Sequence, residues 1–280
     1  MAAGSLLLAN TSSLYAALSR SRLLSLSPYK LGICDWDVRE TGKPTSFAIA
    51  KELGFEGVQV TYQPTGAESL SIKANRVKFV DAAKAANVSI ASLCMGILNN
   101  SPFATTVEAE SWALACIDTM VDMQVDQVLL AFFSKGDMNE IKTQQPLAIE
   151  KLKRIAPMAE KKNKILAIES YLSAEDHLKF LDAIGSDAVK VYYDVRNSFN
   201  KGYDIFREME LLGKKKLISQ IHLKEDHDLL GKGDINFTKV FEMLEKIDYN
   251  GWLIVEGSSK GDWKESHKAN VRFIKQMINK

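Results

Sequence analysis

Four apolar runs in the second half of this chain each end in an acidic residue or a histidine. They read Ile165-Leu-Ala-Ile-Glu169, Val189-Lys-Val-Tyr-Tyr-Asp194, Ile218-Ser-Gln-Ile-His222 and Trp252-Leu-Ile-Val-Glu256. The polar ends are 25, 28 and 34 residues apart, and one strand-plus-helix unit spans roughly 30 residues. Runs rich in Ile, Val, Leu and Tyr are typical of strands buried on both faces of a parallel sheet. The spacing therefore predicts repeated strand–helix units, each with a polar side chain where its strand ends.

The same alternation extends outward from these runs to most of the chain. Eight strands are predicted, over Leu31–Val38, Gly57–Tyr62, Ser89–Met95, Asp126–Phe133, Ile165–Ser170, Val189–Val195, Ile218–Lys224 and Trp252–Gly257. Stretches with helical periodicity follow each of them. Eight such units over roughly 250 residues match the (β/α)8 barrel in number and length, and no Gly-rich turn of the doubly wound type follows the first strand. The sequence predicts one α/β domain, a single (β/α)8 TIM barrel over residues 30–280.

The polar ends of the four runs predict a metal site. In a (β/α)8 barrel the carboxyl ends of the strands form the functional rim, so Glu169, Asp194, His222 and Glu256 are expected to converge there. A single strand-end carboxylate is more often a helix cap or an ion-pair partner. Four such residues on consecutive strands favour one metal ion bound by all of them, because buried charges must be paired or bound to a metal. This O/N donor set suits one divalent ion, Mn2+ or Mg2+ first and Co2+ or Zn2+ as alternatives.

Two further polar residues are candidates for contacts with a sugar-like substrate at this rim. Asn197 lies three residues after Asp194, in the loop where its amide could bind a hydroxyl. Lys224 lies two residues after His222, and the period-two rule of strands places both on the same face. Its ammonium group could hold an oxyanion, or it could form a salt bridge with the following Glu225-Asp226 pair.

Aromatic residues at the other strand ends predict an apolar wall opposite the polar cluster. They are Trp36, Tyr62, Phe132 and Phe133, together with Met95. Such a wall separates the carbon face of a sugar from its hydroxyls. Core packing is the alternative for each residue singly, and Trp36 is the one we assign to substrate binding.

Composition argues against nucleic acid as a partner and against a disulfide framework. The chain has 36 basic and 35 acidic residues, a net charge of +1, which gives no electrostatic support for binding nucleic acid. Its three cysteines are an odd number without C-x-x-C spacing, so buried free thiols are expected. The polar rim and the aromatic wall predict a small-molecule, sugar-like partner, and the fold is compatible with a homo-oligomer.

The first 29 residues differ from the rest of the chain. No acidic residue occurs before Asp35, and a short apolar run is followed by a Ser/Arg-rich stretch that ends at Pro28. The run is too short to span a bilayer. Three interpretations stay open: an export signal, an organellar transit peptide, or a disordered leader. The location is accordingly periplasmic or organellar if the leader is a targeting segment, and cytoplasmic otherwise.

These motifs resemble those of the xylose isomerase-like TIM-barrel family. That family includes sugar phosphate isomerases and epimerases, ketose 3-epimerases, hydroxypyruvate isomerase and endonuclease IV. The similarity runs from Leu31 to the C-terminus. Its most specific pieces are Ala167-Ile-Glu169, Tyr193-Asp-Val-Arg-Asn197, Ile221-His-Leu-Lys-Glu225, Leu230-Gly-Lys-Gly-Asp-Ile-Asn-Phe237 and Tyr249-Asn-Gly-Trp-Leu-Ile-Val-Glu256.

The resemblance implies a metal-dependent sugar isomerase or epimerase. Glu169, Asp194, His222 and Glu256 would bind one divalent metal ion, and Glu169 and Glu256 would also be the catalytic acid/base pair. A metal that chelates a ketose carbonyl and its neighbouring hydroxyl stabilises the enediolate formed when the α-proton leaves. Return of the proton from the opposite face gives epimerisation, and its return to the adjacent carbon gives isomerisation.

The chain departs from the ketose epimerase pattern at two positions. The resemblance places a histidine where Asn197 stands, and an arginine in the loop where this chain has His227 or Lys232. We assign Asn197 and His227 to substrate binding on this basis. A keto-glycoside lyase or hydratase that uses the same metal and base is therefore the alternative function.

Two other functions are weaker alternatives. A barrel that binds sugar without catalysis is one, although all four ligand positions are filled. An endonuclease IV-like DNA repair enzyme is the other. Its trinuclear zinc site needs many histidines, and this chain has only four: His177, His222, His227 and His267.

Overall fold

The computed structural model describes residues 28–279, and eight parallel strands form a closed barrel in it. Neighbouring strands pair in chain order, and β8 closes the barrel by pairing with β1. The strands are β1 Lys30–Cys34, β2 Gly57–Thr61, β3 Ser89–Met95, β4 Gln127–Phe132, β5 Ile165–Ser170, β6 Val189–Asp194, β7 Ile218–Lys224 and β8 Trp252–Glu256. The predicted single (β/α)8 TIM barrel is confirmed.

Helices cover the outside of the barrel. They are α1 Ser46–Leu53, α2 Lys73–Ala86, α3 Ala109–Met123, α4 Gln144–Lys161, α5 Ala174–Ile184, α6 Val195–Asn200, α7 Ile205–Gly213, α8 Phe237–Lys246 and α9 Trp263–Ile278. Short 3-10 turns at Gly96–Asn99 and Ser134–Gly136 follow β3 and β4. In the described residues, no helix is both long enough and apolar enough to cross a bilayer.

Several strand ends differ from the sequence prediction by one residue, and two larger differences lie near the carboxyl end of the barrel. β1 ends at Cys34, four residues earlier than predicted, because the chain turns there and the Asp37 amide donates to the Cys34 carbonyl. The short helix α6 was not predicted. It begins directly after Asp194, whose Oδ1 accepts hydrogen bonds from the amides of Arg196 and Asn197.

The apolar residues form two cores on the two faces of the strands. The larger core lies between the outer strand faces and the helices. The smaller core fills the barrel interior and consists of Cys34, Ala91, Cys94, Leu129, Ala131, Ala167, Tyr192 and Ile254. Because side chains alternate along a strand, the residues that follow this inner core toward the carboxyl ends point into the mouth of the barrel.

Trp252 fills the amino end of the barrel. A Cβ atom on Gly57 would lie 2.4 Å from the Trp252 ring, so only glycine permits this contact. The ammonium group of Lys30 lies 5.5 Å from the centre of the same ring. The amino end of the barrel is thus packed by an aromatic side chain.

The predicted leader lies outside the described residues except for its last two. Of these, Tyr29 is buried and its ring packs against Phe241 and Tyr249. The packed barrel therefore includes Tyr29.

Candidate metal and sugar site

The structure brings the four predicted ligands together at the carboxyl end of the barrel. Strand register places Asp194 beside His222 across the β6–β7 pair, and Glu256 beside Lys224 across β7–β8. One potential ligand atom from each of Glu169, Asp194, His222 and Glu256 lies within 4.8 Å of all the others. Consecutive parallel strands thus gather residues that are up to 87 positions apart in sequence.

His222 lies at the centre of this cluster. Its Nδ1 atom is 3.1 Å from Glu169 Oε1, 3.4 Å from Glu256 Oε2 and 3.7 Å from Asp194 Oδ2. The imidazole is wholly buried. Three carboxylate oxygens around one imidazole nitrogen match the hard donor set of a divalent metal.

Asp194 shows most directly that this cluster fits a metal ion. Its Oδ1 atom caps α6, whereas its Oδ2 atom is buried and has no hydrogen-bond partner. A buried carboxylate oxygen without a hydrogen bond is costly, and the nitrogens of His222 and Lys224, each 3.7 Å away, offset only part of the hydration that it lost. A cation bound among the four ligands would satisfy this oxygen.

The negative charges of the three carboxylates also favour a positive charge at the centre of the cluster. Burial lowers the pKa of His222, but the charges of Glu256 and Glu169 raise it to about 10. Burial raises the pKa of Glu169 to about 7, even though His222 opposes that shift. Burial would raise the pKa of Asp194 too, but the nearby His222 imidazole and the charge of Lys224 lower it to about 2. In the protein alone a proton on His222 supplies the charge that a divalent ion would otherwise bring.

Lys224 pairs with the cluster and not with the acidic residues that follow it. Its Nζ atom lies 2.9 Å from Glu256 Oε2 and 3.7 Å from Asp194 Oδ2. Glu225 and Asp226 pair instead with the Arg196 guanidinium, each at 2.9 Å. The alternative pairing considered from sequence is therefore wrong, and Lys224 points into the barrel mouth.

A cavity of about 430 Å³ opens above the cluster. Its lining includes Trp36, Thr41, Thr61, Cys94, Gly96, Asn99, Leu129, Ala131, Phe133, Glu169, Tyr171, Asn197, Lys224 and Glu256. Three of the four predicted substrate-binding residues, Trp36, Asn197 and Lys224, lie in this wall. Asn197 Nδ2 is 3.4 Å from Glu169 Oε1. His227 is exposed and is not part of this lining, so its assigned role stays a prediction.

The aromatic wall of the cavity has three residues instead of the five predicted, and one of the three was not predicted. Trp36 and Phe133 line the cavity, but Tyr62, Phe132 and Met95 are packed in the outer core. Tyr171, which we did not predict, completes the wall, and its ring centre lies 4.7 Å from that of Phe133. It follows β5 by one residue and carries no sequence signal that separates it from a core tyrosine.

Fold and site together define a (β/α)8 barrel with a carboxylate–histidine cluster beneath a mixed apolar and polar cavity. The chain belongs to the xylose isomerase-like TIM barrel family, whose model matches residues 47–277.

Two curated relatives carry the name putative L-ribulose-5-phosphate 3-epimerase SgbU. The protein from Haemophilus influenzae is 25% identical over 239 residues, which cover 75% of this chain and 81% of that one. The protein from Escherichia coli is 26% identical over 276 residues, which cover 89% of this chain and 93% of that one.

Solved structures of sugar epimerases share the fold. A D-psicose 3-epimerase crystallised in the presence of D-fructose aligns with a TM-score of 0.74 and 15% identity, over 90% of this chain and 100% of that one. The 3-keto-D-glucoside 4-epimerase YcjR from E. coli aligns with a TM-score of 0.73 and 12% identity, over 89% and 99%. At these identities the likeness concerns the fold alone.

Proposed function

We propose that this protein is a divalent-metal-dependent sugar isomerase or epimerase that abstracts a proton α to a carbonyl. The observation that carries the proposal is the convergence of four potential ligand atoms directly beneath the cavity, among them an Asp194 oxygen that has no hydrogen bond. The names of the curated relatives support an epimerase. When bound, the metal would act as a Lewis acid for the charge that develops on the substrate oxygens.

Glu169 is the proposed base that takes the α-proton. It lines the cavity, and its Oε1 atom lies 3.4 Å from the side-chain amide of Asn197, the proposed contact to a substrate hydroxyl. Glu256 also lines the cavity, and its Oε2 atom lies 3.4 Å from His222 Nδ1. It is the proposed group that returns a proton from the opposite face, while Asp194 and His222 serve as ligands only.

The cavity wall suits an uncharged, unphosphorylated sugar or keto-sugar. Trp36 would cover an apolar face of the substrate, and the Asn197 amide would bind a hydroxyl. Among the described residues that line the cavity, Lys224 is the only cation, and it is already paired with Glu256. A phosphate dianion would find no further cation in this lining, although the relatives are named for a phosphorylated ketose. Free and phosphorylated ketoses should therefore be assayed side by side.

Metal content is the first test of this proposal. Elemental analysis of the purified protein, repeated after incubation with Mn2+, should give about one divalent ion per chain. His222→Ala should lose it, because that change removes the central ligand. His267→Ala removes another buried histidine, on α9, and serves as the matched control that keeps the ion. An ion-free wild type after incubation with Mn2+ would overturn the proposal.

Proton exchange in deuterated water tests the chemistry. Incubation with free ketoses should place deuterium on the α-carbon of an otherwise intact sugar. Release of an aglycone from a 3-keto-glycoside would instead show the lyase alternative, which Asn197 keeps open because it stands where ketose epimerases have a histidine. Tight sugar binding without any exchange or turnover would show a non-catalytic barrel.

A further inference from the structure

The second ring nitrogen of His222 has a close side-chain partner deep in the barrel. His222 Nε2 lies 3.0 Å from the side-chain Oε1 of Gln59, a residue of β2. The Cys34 sulfur lies farther away, at 3.6 Å, and its thiol donates to the same Gln59 oxygen. The side chains of Gln59 and His222 have no solvent exposure, so bulk water does not reach either group. The contact joins β2 and β7, which are not neighbours in the barrel.

The orientation of the Gln59 amide is set by three other side chains. Its Nε2 atom donates to Ser92 Oγ and to Tyr192 Oη, each at 3.0 Å. Its Oε1 atom also accepts from Cys34 Sγ at 3.4 Å. A side-chain amide has two donor hydrogens and one acceptor oxygen, and here all of them are used. Such a fully satisfied buried network holds its members in one arrangement.

We infer that Gln59 is a positioning residue that presents His222 Nδ1 to the metal. A neutral imidazole carries its proton on one nitrogen and offers a lone pair on the other. Nδ1 faces the three carboxylates and must offer the lone pair to a metal, so Nε2 must carry the proton and needs an acceptor. Gln59 Oε1 is that acceptor. Tyr192 supports the same geometry, because its ring centre lies 4.4 Å from that of His222.

The inference rests on the metal site of the proposed function and is tested on metal affinity, without any substrate. Gln59→Met keeps the length of the side chain and removes the acceptor. We expect the Mn2+ dissociation constant, measured by isothermal titration calorimetry, to rise about 10- to 100-fold, as is usual when the partner of a ligating histidine is lost.

Gln220→Met is the matched control for this change. Gln220 is also a wholly buried glutamine and belongs to β7, two residues before His222, yet no hydrogen bond joins it to His222. Its substitution should leave the Mn2+ dissociation constant within a factor of about two. Circular dichroism and thermal melts on both variants separate a lost contact from a lost fold. Equal loss of affinity in the two variants would overturn the inference.

Gln59→Glu is the conservative variant that should restore binding. A carboxylate still accepts from His222 Nε2, and the hydroxyls of Ser92 and Tyr192 can turn to donate to it. Mn2+ affinity within about threefold of wild type is expected, since carboxylate–histidine–metal arrangements are common. Affinity as weak as in Gln59→Met would overturn the assignment.

Nuclear magnetic resonance of the wild type gives a readout that needs no variant to fold. In protein loaded with Zn2+, which is diamagnetic, long-range 1H–15N spectra should show His222 with its proton on Nε2. A proton on Nδ1 would overturn the inference.

The metal titrations distinguish failure of this inference from failure of the proposed function. If wild type binds neither Mn2+ nor Zn2+, the proposed function itself fails. If wild type and Gln59→Met bind Mn2+ equally well, only the role of Gln59 fails.

Discussion

Both halves of the barrel rim carry buried carboxylates, but those of the first half are hydrogen-bonded to nearby donors and those of the second half cluster around a histidine. The first half has Asp35 and Asp37 just after β1, and the second half has Glu169, Asp194 and Glu256 at the ends of β5, β6 and β8. Both oxygens of Asp35 accept hydrogen bonds, two from Thr61 and one from the Gly42 amide. Both oxygens of Asp37 accept from the Gly257 amide. The carboxylates of the second half converge instead on the cluster that His222 centres.

The difference shows what separates a structural carboxylate from a candidate ligand at the end of a strand. Asp35 is wholly buried, as a ligand would be, but its lone pairs are occupied by nearby N–H and O–H groups. Asp194 is also buried, yet one of its oxygens has no hydrogen bond. Burial alone therefore does not mark a candidate ligand, and at Asp194 the distinguishing feature is the oxygen without a hydrogen bond.

Among the substitutions in the second half of the rim, Glu169→Gln should reduce turnover the most. It removes the proposed base while keeping the shape of the side chain, so turnover should fall by about 10²- to 10⁴-fold. Asp35→Asn is the matched control from the first half, and its turnover number should stay near that of wild type. Steady-state kinetics on both variants decides the matter, and near-normal activity in Glu169→Gln would remove it from the mechanism.

Substitutions of Asp194 can separate its two oxygens. Asn still caps α6 through its side-chain oxygen, whereas Ala does not, so only Asp194→Ala should lose the capping stabilisation of about 0.5–2 kcal/mol. Both variants should lose Mn2+ affinity, because the second anionic oxygen is gone. Calorimetric titrations and chemical denaturation of the metal-free proteins measure the two effects. Unchanged Mn2+ affinity in both variants would show that Oδ2 is not a ligand.

Lys224→Met should sharpen the comparison by removing the cation from the second half. Under the proposed function the Lys224 ammonium would bind a substrate oxyanion, and hydrogen bonds to charged groups contribute about 1.5–3 kcal/mol. We therefore expect kcat/KM to fall about 10- to 100-fold, at one tenfold step per 1.36 kcal/mol. Lys260→Met removes an exposed lysine that pairs with Asp228 and provides the control. Equal kinetics in the two variants would exclude Lys224 from the site.

Trp36→Leu should have the smallest effect, because the first half shapes the cavity without taking part in proton transfer. Loss of an aromatic contact worth about 0.5–1.5 kcal/mol corresponds to a KM about 3- to 10-fold higher. The turnover number should stay close to that of wild type. Trp36→Phe retains a ring and should show less than half of this change in free energy. A large drop in kcat would mean that Trp36 helps to place the reacting carbon.

The fold and the four candidate ligands could be predicted because their signals are local. Each ligand follows an apolar run on its own strand, and the spacing of runs reports the strand–helix unit. The prediction of the aromatic wall was partly wrong, also for a local reason. Neighbouring strand residues face opposite ways, so Phe133 lines the cavity while Phe132 packs outward. A strand end misjudged by one position exchanges the two.

Gln59 could not have been found from sequence because its meaning depends on contacts across the barrel. It is an uncharged residue inside a short strand, Gly57–Thr61, and nothing near it in the chain marks it. Its partners lie on β1, β3, β6 and β7. Tyr171 could not be predicted for the same reason, since its place in the wall depends on its contact with Phe133, which directly follows β4.

The Trp252 ring packs against Gly57 at the amino end of the barrel, so the cavity opens at the carboxyl end, past a rim formed in part by Trp36, Phe133 and Tyr171. Under the proposed function, a substrate and a product that differ at one carbon would occupy this same cavity in turn. Competitive inhibition by product is the expected consequence.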